Sequence, residues 1–207
     1  MRTVTYGGAC SLDGFIAGPD GAIDWLHFSP DVQHIMTEYW KGVDAIVMGR
    51  KTWEFAAAAG AGAAGTGDPG SGESTGDGGQ PEIATYVFSR TLGSIADPRV
   101  QLVSEDAGAF VRQLKRRKGK GICVLGGGEL ARSLLEAGVV DEIGFNIHPV
   151  LLGSGVPCVL RGERRIQLEL VESRTIAGGC VLSTYRVKRV ARPTGAARAG
   201  RTTRAAG

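Results

Sequence analysis

No apolar run in this 207-residue chain approaches the roughly 18 residues that a membrane-spanning helix needs. Its first residues, MRTVTYGGACSL, hold no long apolar stretch of the kind that marks a secretion signal. Cysteine is sparse: Cys10, Cys123, Cys158 and Cys180 are widely spaced and form no C-x-x-C pair. Three of the four lie inside apolar runs, where a small buried thiol is the ordinary reading. The three histidines, His27, His34 and His148, show no metal-ligand spacing. No Ser-His-Asp or Cys-His signature stands out, and no G-x-G-x-x-G follows the first apolar segment, which disfavours an ordinary Rossmann dinucleotide fold. These absences together predict a soluble, reduced, cytoplasmic protein with no metal site.

Glycine is the residue in excess, at 33, about twice the average usage of about 7%. Much of it is local. Residues 56–80 read AAAAGAGAAGTGDPGSGESTGDGGQ, with nine Gly, seven Ala and no larger aliphatic. Such a stretch buries too little surface to offset its ordering entropy, so a flexible surface insertion is expected there. The last twenty residues carry Lys188, Arg189, Arg192, Arg198, Arg201 and Arg204 and no acid. Without those six cations, 18 Lys and Arg face 21 Asp and Glu, so the body is at about −3 although the chain is at +3. The basic character therefore belongs to the tail, which reads either as a solvated terminus or as a contact for nucleic acid or acidic lipid. The expected organisation is one domain over 1–190 and a basic disordered tail over 191–207.

Patterning predicts strands at Thr3–Cys10, Val43–Met48, Ile83–Ser89, Val100–Ser104, Gly121–Leu125, Glu142–Ile147, Ile166–Glu172 and Cys180–Val187. Several are β-branched and almost continuously apolar, as central strands covered on both faces are. Helices are expected from Pro30 to Lys41 behind Ser29, from Arg50, over Ala107–Arg117, and over Glu129–Ala137 before Gly138. Strand–helix alternation implies an α/β fold with a largely parallel sheet. The ending RIQLELVESRTIAGGCVLSTYRV instead alternates through two strands around a Gly-Gly turn, an antiparallel hairpin that closes the sheet.

Two strand-to-helix junctions carry chemistry. In DAIVMGRKTWE, Gly49 is followed by Arg50, Lys51 and Thr52 at a helix start; in ICVLGGGELARS, Gly126, Gly127 and Gly128 precede Glu129 and Leu130. Helix N-terminal amides favour an anion, glycine lets a ligand approach, and two cations with a hydroxyl suit phosphate. A single glycine turn is equally a device for tight packing. Two such junctions on one sheet suggest a ligand with more than one phosphate.

Read in order, SLDGFIA (residues 11–17), MGRKTWE (48–54), Phe88-Ser89-Arg90, LGGGEL (125–130) and PVLLGSG (149–155) make the chain resemble the dihydrofolate reductase superfamily. The likeness is strongest to the C-terminal reductase domain of bifunctional riboflavin-biosynthesis deaminase-reductases. It covers most of residues 2–188. It implies a three-layer dihydrofolate reductase-like fold with a mixed, mostly parallel sheet, an NADPH cofactor and a homodimer. It implies the reductase activity on 5-amino-6-(5-phosphoribosylamino)uracil or a similar reaction: hydride transfer to a C=N or C=O of a pyrimidine-, pterin- or aminosugar-like small molecule. On this resemblance Gly49, Arg50, Lys51 and Thr52 match the phosphate turn, and Ser89 and Arg90 match the residues at the 2′-phosphate. Gly126, Gly127, Gly128, Glu129 and Leu130 match the second glycine turn, while Ala9 and Ile16 flank the nicotinamide.

Asp13 is the acid singled out as catalytic, although an aspartate in an SLDG turn equally shapes the loop. Trp25 and His27 fall in the loop before the first helix, where Trp25 reads as a core or lid aromatic or as a stacking platform. Departures are visible too. Gln33 stands where dihydrofolate reductases hold a carboxylate, with Asp31 and Glu38 nearby, and Gly7 replaces a lysine usual in riboflavin-pathway reductases. Residues RKTWE stand in place of that family's GTVLADNP-like run, and the zinc-binding deaminase half is absent. A non-catalytic nucleotide-binding module with a basic tail is the competing function.

Overall fold

The computed structural model describes residues 1–58, 83–162 and 164–188. Most of the 56–80 insertion and the whole 191–207 tail lie outside the described residues; Ala56–Ala58 close a helix. Ten strands and four α-helices follow one another as β1 (Val4–Ser11), β2 (Phe15–Ala17), α1 (Pro30–Lys41), β3 (Val43–Gly49), α2 (Arg50–Ala58), β4 (Ala84–Phe88) and β5 (Val100–Val103). Then come α3 (Ala107–Leu114), β6 (Gly121–Leu125), α4 (Gly128–Glu136), β7 (Glu142–His148), β8 (Val156–Pro157), β9 (Leu168–Ile176) and β10 (Cys180–Val187).

Eight strands form one sheet in the order β5-β4-β3-β6-β1-β7-β10-β9. From β5 to β7 every pairing is parallel; β10 runs antiparallel to both β7 and β9. The continuous apolar runs are the central strands: Ile46 and Val47 of β3 and Val124 of β6 have no exposed surface. One face packs Val4, Tyr6, Val47 and Val124 against Phe110 and Val111 of α3 and Leu134 of α4. The other packs Ile46, Met48 and Cys123 against Tyr39 and Trp40 of α1 and Trp53 of α2. Helices on both faces of a mostly parallel sheet make three layers, as the alternation predicts.

Local chemistry explains the element ends. Ser29 caps α1, its hydroxyl accepting from the Val32 amide at 3.3 Å, with Pro30 and Asp31 in the first turn. The third helix stops at Leu114 rather than Arg117. Lys115 is drawn inward there, its ammonium donating to the Val139 carbonyl at 2.9 Å and to Asp141 at 2.5 Å, and residues 115–117 continue as tighter turns. The closing hairpin forms as expected, with Gly178 and Gly179 at positive φ in its turn. Its first strand is offset from the expected span, running Leu168–Ile176, because the alternation through Ser173 and Thr175 stays paired with β10 right up to the turn. The short ribbon of β2 with β8 has no counterpart in the sequence reading.

Candidate active site

In a parallel sheet, ligands bind at the carboxyl ends of the strands, where chain direction switches. Those ends of β4, β3, β6, β1 and β7 lie side by side here, since Gly49 pairs with Phe88, Met48 with Leu125, Gly7 with Leu125 and Ala9 with Asn146. The two glycine turns therefore meet. A side chain at Gly126 would run into the Thr52 hydroxyl and methyl, and one at Gly127 would come within 3.7 Å of that hydroxyl. Gly126 and Gly127 sit at φ 59° and 51°, a region that favours glycine. Space beside Gly49 is open, with nothing within 4 Å of a built Cβ.

Glycine precedes both helices, Gly49 before α2 and Gly127 before α4, so neither residue can cap through a side chain. No side chain caps α4 at Gly127, and α2 has no acid in its first turn. Such paired N-termini present orphan N–H groups and positive dipole ends to one place. Lys51 and Arg90 are exposed and make no ion pair among the described residues, whereas Arg50 pairs with Glu54 on its own helix at 2.9 Å. Glycine turns, two helix N-termini and two cations without ion pairs among the described residues fit a dinucleotide's phosphates.

The remaining predicted positions differ in character. Ser89 is a turn-former, its hydroxyl accepting from the Thr91 and Leu92 amides at 3.2 and 3.0 Å. Leu130 is buried in the core below α4, and Glu129 is exposed in that helix's first turn. Ile16, half-buried on β2, is brought to the second glycine turn through β8: Phe15 pairs with Pro157, whose carbonyl lies 2.7 Å from a Cβ built on Gly128.

Asp13 has both oxygens occupied. It accepts from the Ser11 hydroxyl at 2.6 Å and from the Leu152 and Gly153 amides at 3.2 and 2.7 Å. Those bonds, the Ser11 hydroxyl foremost, hold its carboxyl below the ordinary carboxylate range, so it is ionised at neutral pH. With Leu12 N–H on the Val150 carbonyl and Cys158 N–H on the Gly14 carbonyl, both at 2.9 Å, it staples residues 11–14 to 150–158. That is the loop-shaping arrangement. Gln33 is exposed on α1, and Asp31 accepts from the Ala177 amide of the β9–β10 turn at 3.2 Å.

A polar group that the sequence reading passed over closes β7. His148 is 2% exposed, and Trp25 packs edge-on against its ring at 5.3 Å. Burial, then the neighbouring His27, push its pKa down. The signal was present in IGFNIH, where Asn146 and His148 stand at alternate positions of an apolar strand and so share one face. Hollows of about 590 and 600 Å³ lie at the opposite edge of the sheet, among Thr3, Glu142 and Glu169 and beside Arg116 and Lys118. Neither is lined by the first residues of a described helix, so the chemistry points to the carboxyl ends.

Comparison with known proteins identifies the family. The profile of the RibD C-terminal domain family matches residues 2–182. The uncharacterized protein YyaP of Bacillus subtilis (strain 168) is 33% identical over 185 residues, 89% of this chain and 95% of that protein. The uncharacterized protein YwjB of the same organism is 32% identical over 171 residues, 81% of this chain and 89% of that protein. Among solved structures, a protein of Shewanella sp. PV-4 provisionally assigned to riboflavin biosynthesis superposes with a TM-score of 0.72 at 25% identity, covering 91% of this chain and all of that one. The deaminase/5-amino-6-(5-phosphoribosylamino)uracil reductase of Thermotoga maritima shares the fold with a TM-score of 0.64 at 16% identity; 90% of this chain spans 57% of that longer one.

Proposed function

The chain belongs to the RibD C-terminal domain family, and on that premise we propose that it is an NADPH-dependent reductase acting on a C=N or C=O of a pyrimidine-, pterin- or aminosugar-like substrate. One observation carries this reading: Thr52 lodges against Gly126, so two helix starts, each preceded by a glycine, converge at the carboxyl edge of the sheet. NADPH, when bound, supplies the hydride. Gly49, Gly126, Gly127 and Gly128 leave the backbone open to the phosphates, while Arg50, Lys51 and Thr52 supply charge and a hydroxyl. Arg90, unpaired among the described residues, fits the 2′-phosphate, with Ser89 shaping the turn that carries it. Ala9 and Ile16 border the nicotinamide side. Asp13 acts here by holding the two loops together; as an ionised carboxylate it is no proton donor at neutral pH.

One exposed feature extends the reading. Leu168, Leu170 and Val171 of the edge strand β9 are 40, 57 and 49% exposed, and this strip is the face on which a homodimer would form. A dimer mass by light scattering at tens of micromolar supports that assembly; a monomer removes it. The function itself is tested by calorimetric titration with NADPH and NADH and by cofactor oxidation against a panel of heterocyclic substrates. Tighter NADPH binding with turnover of at least one substrate is expected. Binding without oxidation of any substrate favours the nucleotide-binding module instead.

A further inference from the structure

The loop that leaves α3 at the amino edge of the sheet reads Lys115-Arg116-Arg117-Lys118-Gly119-Lys120, five cations in six residues. Two of them are spent on the fold. Lys115 turns inward to Asp141, and Lys120 donates to the Lys41 carbonyl at 2.8 Å. Arg116, Arg117 and Lys118 are exposed and make no ion pair among the described residues. A helix C-terminus attracts cations within its last turn, which accounts for Arg112 and the capping Lys115 but not for three more beyond them. With Met1, Arg2 and Gly119 these three line a hollow of about 600 Å³. The strand ends themselves stay matched, Arg2 on Asp44 and Lys115 on Asp141; the unpaired charge stands one step outward, in the loop.

The fold brings the second basic segment to the same corner. Strand β10 is antiparallel to β7, so it ends at the amino edge, where the Val187 amide donates to the Asp141 carbonyl at 2.8 Å. Asp141 thus holds the start of the loop by its carboxylate and the end of the last strand by its carbonyl. Lys188 is exposed there, and the chain runs on through Arg189, Arg192, Arg198, Arg201 and Arg204 without an acid. Glu142 and Glu169 lie beside Lys188, offset by Arg186 and by Lys188 itself. Apart from the three loop cations and the six from Lys188 onward, 15 Lys and Arg face 21 Asp and Glu. The remainder of the chain is therefore negative, and a polyanion is drawn to this corner alone.

We propose that loop 115–120 and the segment from Lys188 onward form one surface for the phosphate backbone of duplex DNA. A row of cations without a closed pocket suits a repeated anion, and arginine forks onto phosphate oxygens. Neither segment has an aromatic residue on which the bases of a single strand would stack. Neither has an apolar side chain larger than Val190 to enter a bilayer. Backbone contacts of this kind hold the duplex without reading its sequence. The surface lies at the opposite end of the strands from the proposed cofactor edge and stands independently of the reductase reading.

Fluorescence anisotropy of a labelled DNA duplex with the full chain tests this. Affinity should fall about a hundredfold or more between about 50 and 200 mM salt. Arg116→Ala, Arg117→Ala and Lys118→Ala combined should weaken binding about tenfold or more and flatten the log–log salt slope by about two to three. The five tail arginines, Arg189, Arg192, Arg198, Arg201 and Arg204, replaced together by alanine should weaken it as well. Melting temperature and NADPH affinity should stay at the native values in both variants. In the unaltered protein, the duplex should shift the amide NMR signals of residues 116–120 and leave those of Gly49 and Gly126 in place. No binding at low salt, native affinity in the loop variant, or shifts confined to other residues overturns the proposal. So does a single strand bound as tightly as the duplex, or tighter binding to phosphatidylserine vesicles, which would assign the corner to a membrane.

Discussion

The two ends of the same parallel strands treat charge in opposite ways. At the amino ends, charged groups are buried and matched. The Arg2 side chain, 6% exposed, is paired with Asp44 and donates to the Lys120 carbonyl at 2.7 Å. Lys115, 4% exposed, pairs with Asp141, which also accepts from the Val4 amide at 2.9 Å. At the carboxyl ends, Lys51 and Arg90 are exposed and without ion pairs among the described residues, and no side chain caps α4 at Gly127. Charges that are buried must be satisfied by the fold itself. Charges held at the open edge beside bare helix starts are left for something else to satisfy. The contrast separates residues that hold the sheet from residues proposed to serve a ligand, and each side can be broken independently.

The largest effect is expected at the closed edge. Lys115→Ala removes a buried ammonium that pairs with Asp141 and donates to the Val139 carbonyl, and should lower stability by about 3 kcal/mol in urea unfolding. NADPH affinity of the folded protein should not change, because the ligand edge is at the other end of the strands. Next comes Gly126→Val at the open edge, which forces a branched side chain into a positive-φ site and against Thr52. A stability loss of about 1–3 kcal/mol is expected, with NADPH affinity falling about tenfold or more by calorimetry. If affinity survives, the convergence of the two turns does not serve phosphate.

A smaller effect falls on cofactor choice. A charge-assisted contact contributes about 1.5–3 kcal/mol when shielded, and the exposure of Arg90 reduces this to about 1 kcal/mol through solvent screening. Arg90→Ala should thus narrow the preference for NADPH over NADH by about fivefold in parallel titrations; an unchanged ratio would assign the 2′-phosphate elsewhere. The smallest effect concerns acid. The folded-state pKa of Asp13 is depressed, so its contribution is present above the ordinary carboxylate value of about 3.9 and is lost as pH falls through the folded value. Asp13→Asn should flatten the acid limb of a melting-temperature profile below about pH 4. His148, depressed for the opposite charge type, contributes in a higher window. Its neutral form has no cost above about pH 6.5 and destabilises the fold as pH drops below that.

How much of this was legible depends on how local the signal is. The Ser29 cap of α1, the stop of α4 before Gly138, the apolar central strands and the Gly-Gly hairpin turn are all readable within about ten residues. The two glycine junctions were readable for the same reason, each being a strand, a turn and a helix start in unbroken sequence. Asp13 was readable as an acid in a turn, but its partners at Leu152 and Gly153 are some 140 residues away. The Trp25, Asn146 and His148 group spans a similar distance: the His27 amide meets a ring 121 residues later. His148 had been weighed for metal-ligand spacing in the chain, where its neighbours do not show.

Sequence alone determined the periodicities, and with them the α/β class, the parallel body and the antiparallel close, because apolar spacing dictates which face of each element is buried. It also determined that glycine sits at two helix starts, the first of them followed by Arg50 and Lys51. Only the tertiary structure decided that those starts touch, through Thr52 and Gly126, and that β1 lies between β6 and β7 so that Ala9 meets Asn146. Strand order is set by which crossovers bury the most apolar surface together, a property of the whole chain, whereas the period of a strand or a helix is fixed by its own backbone geometry.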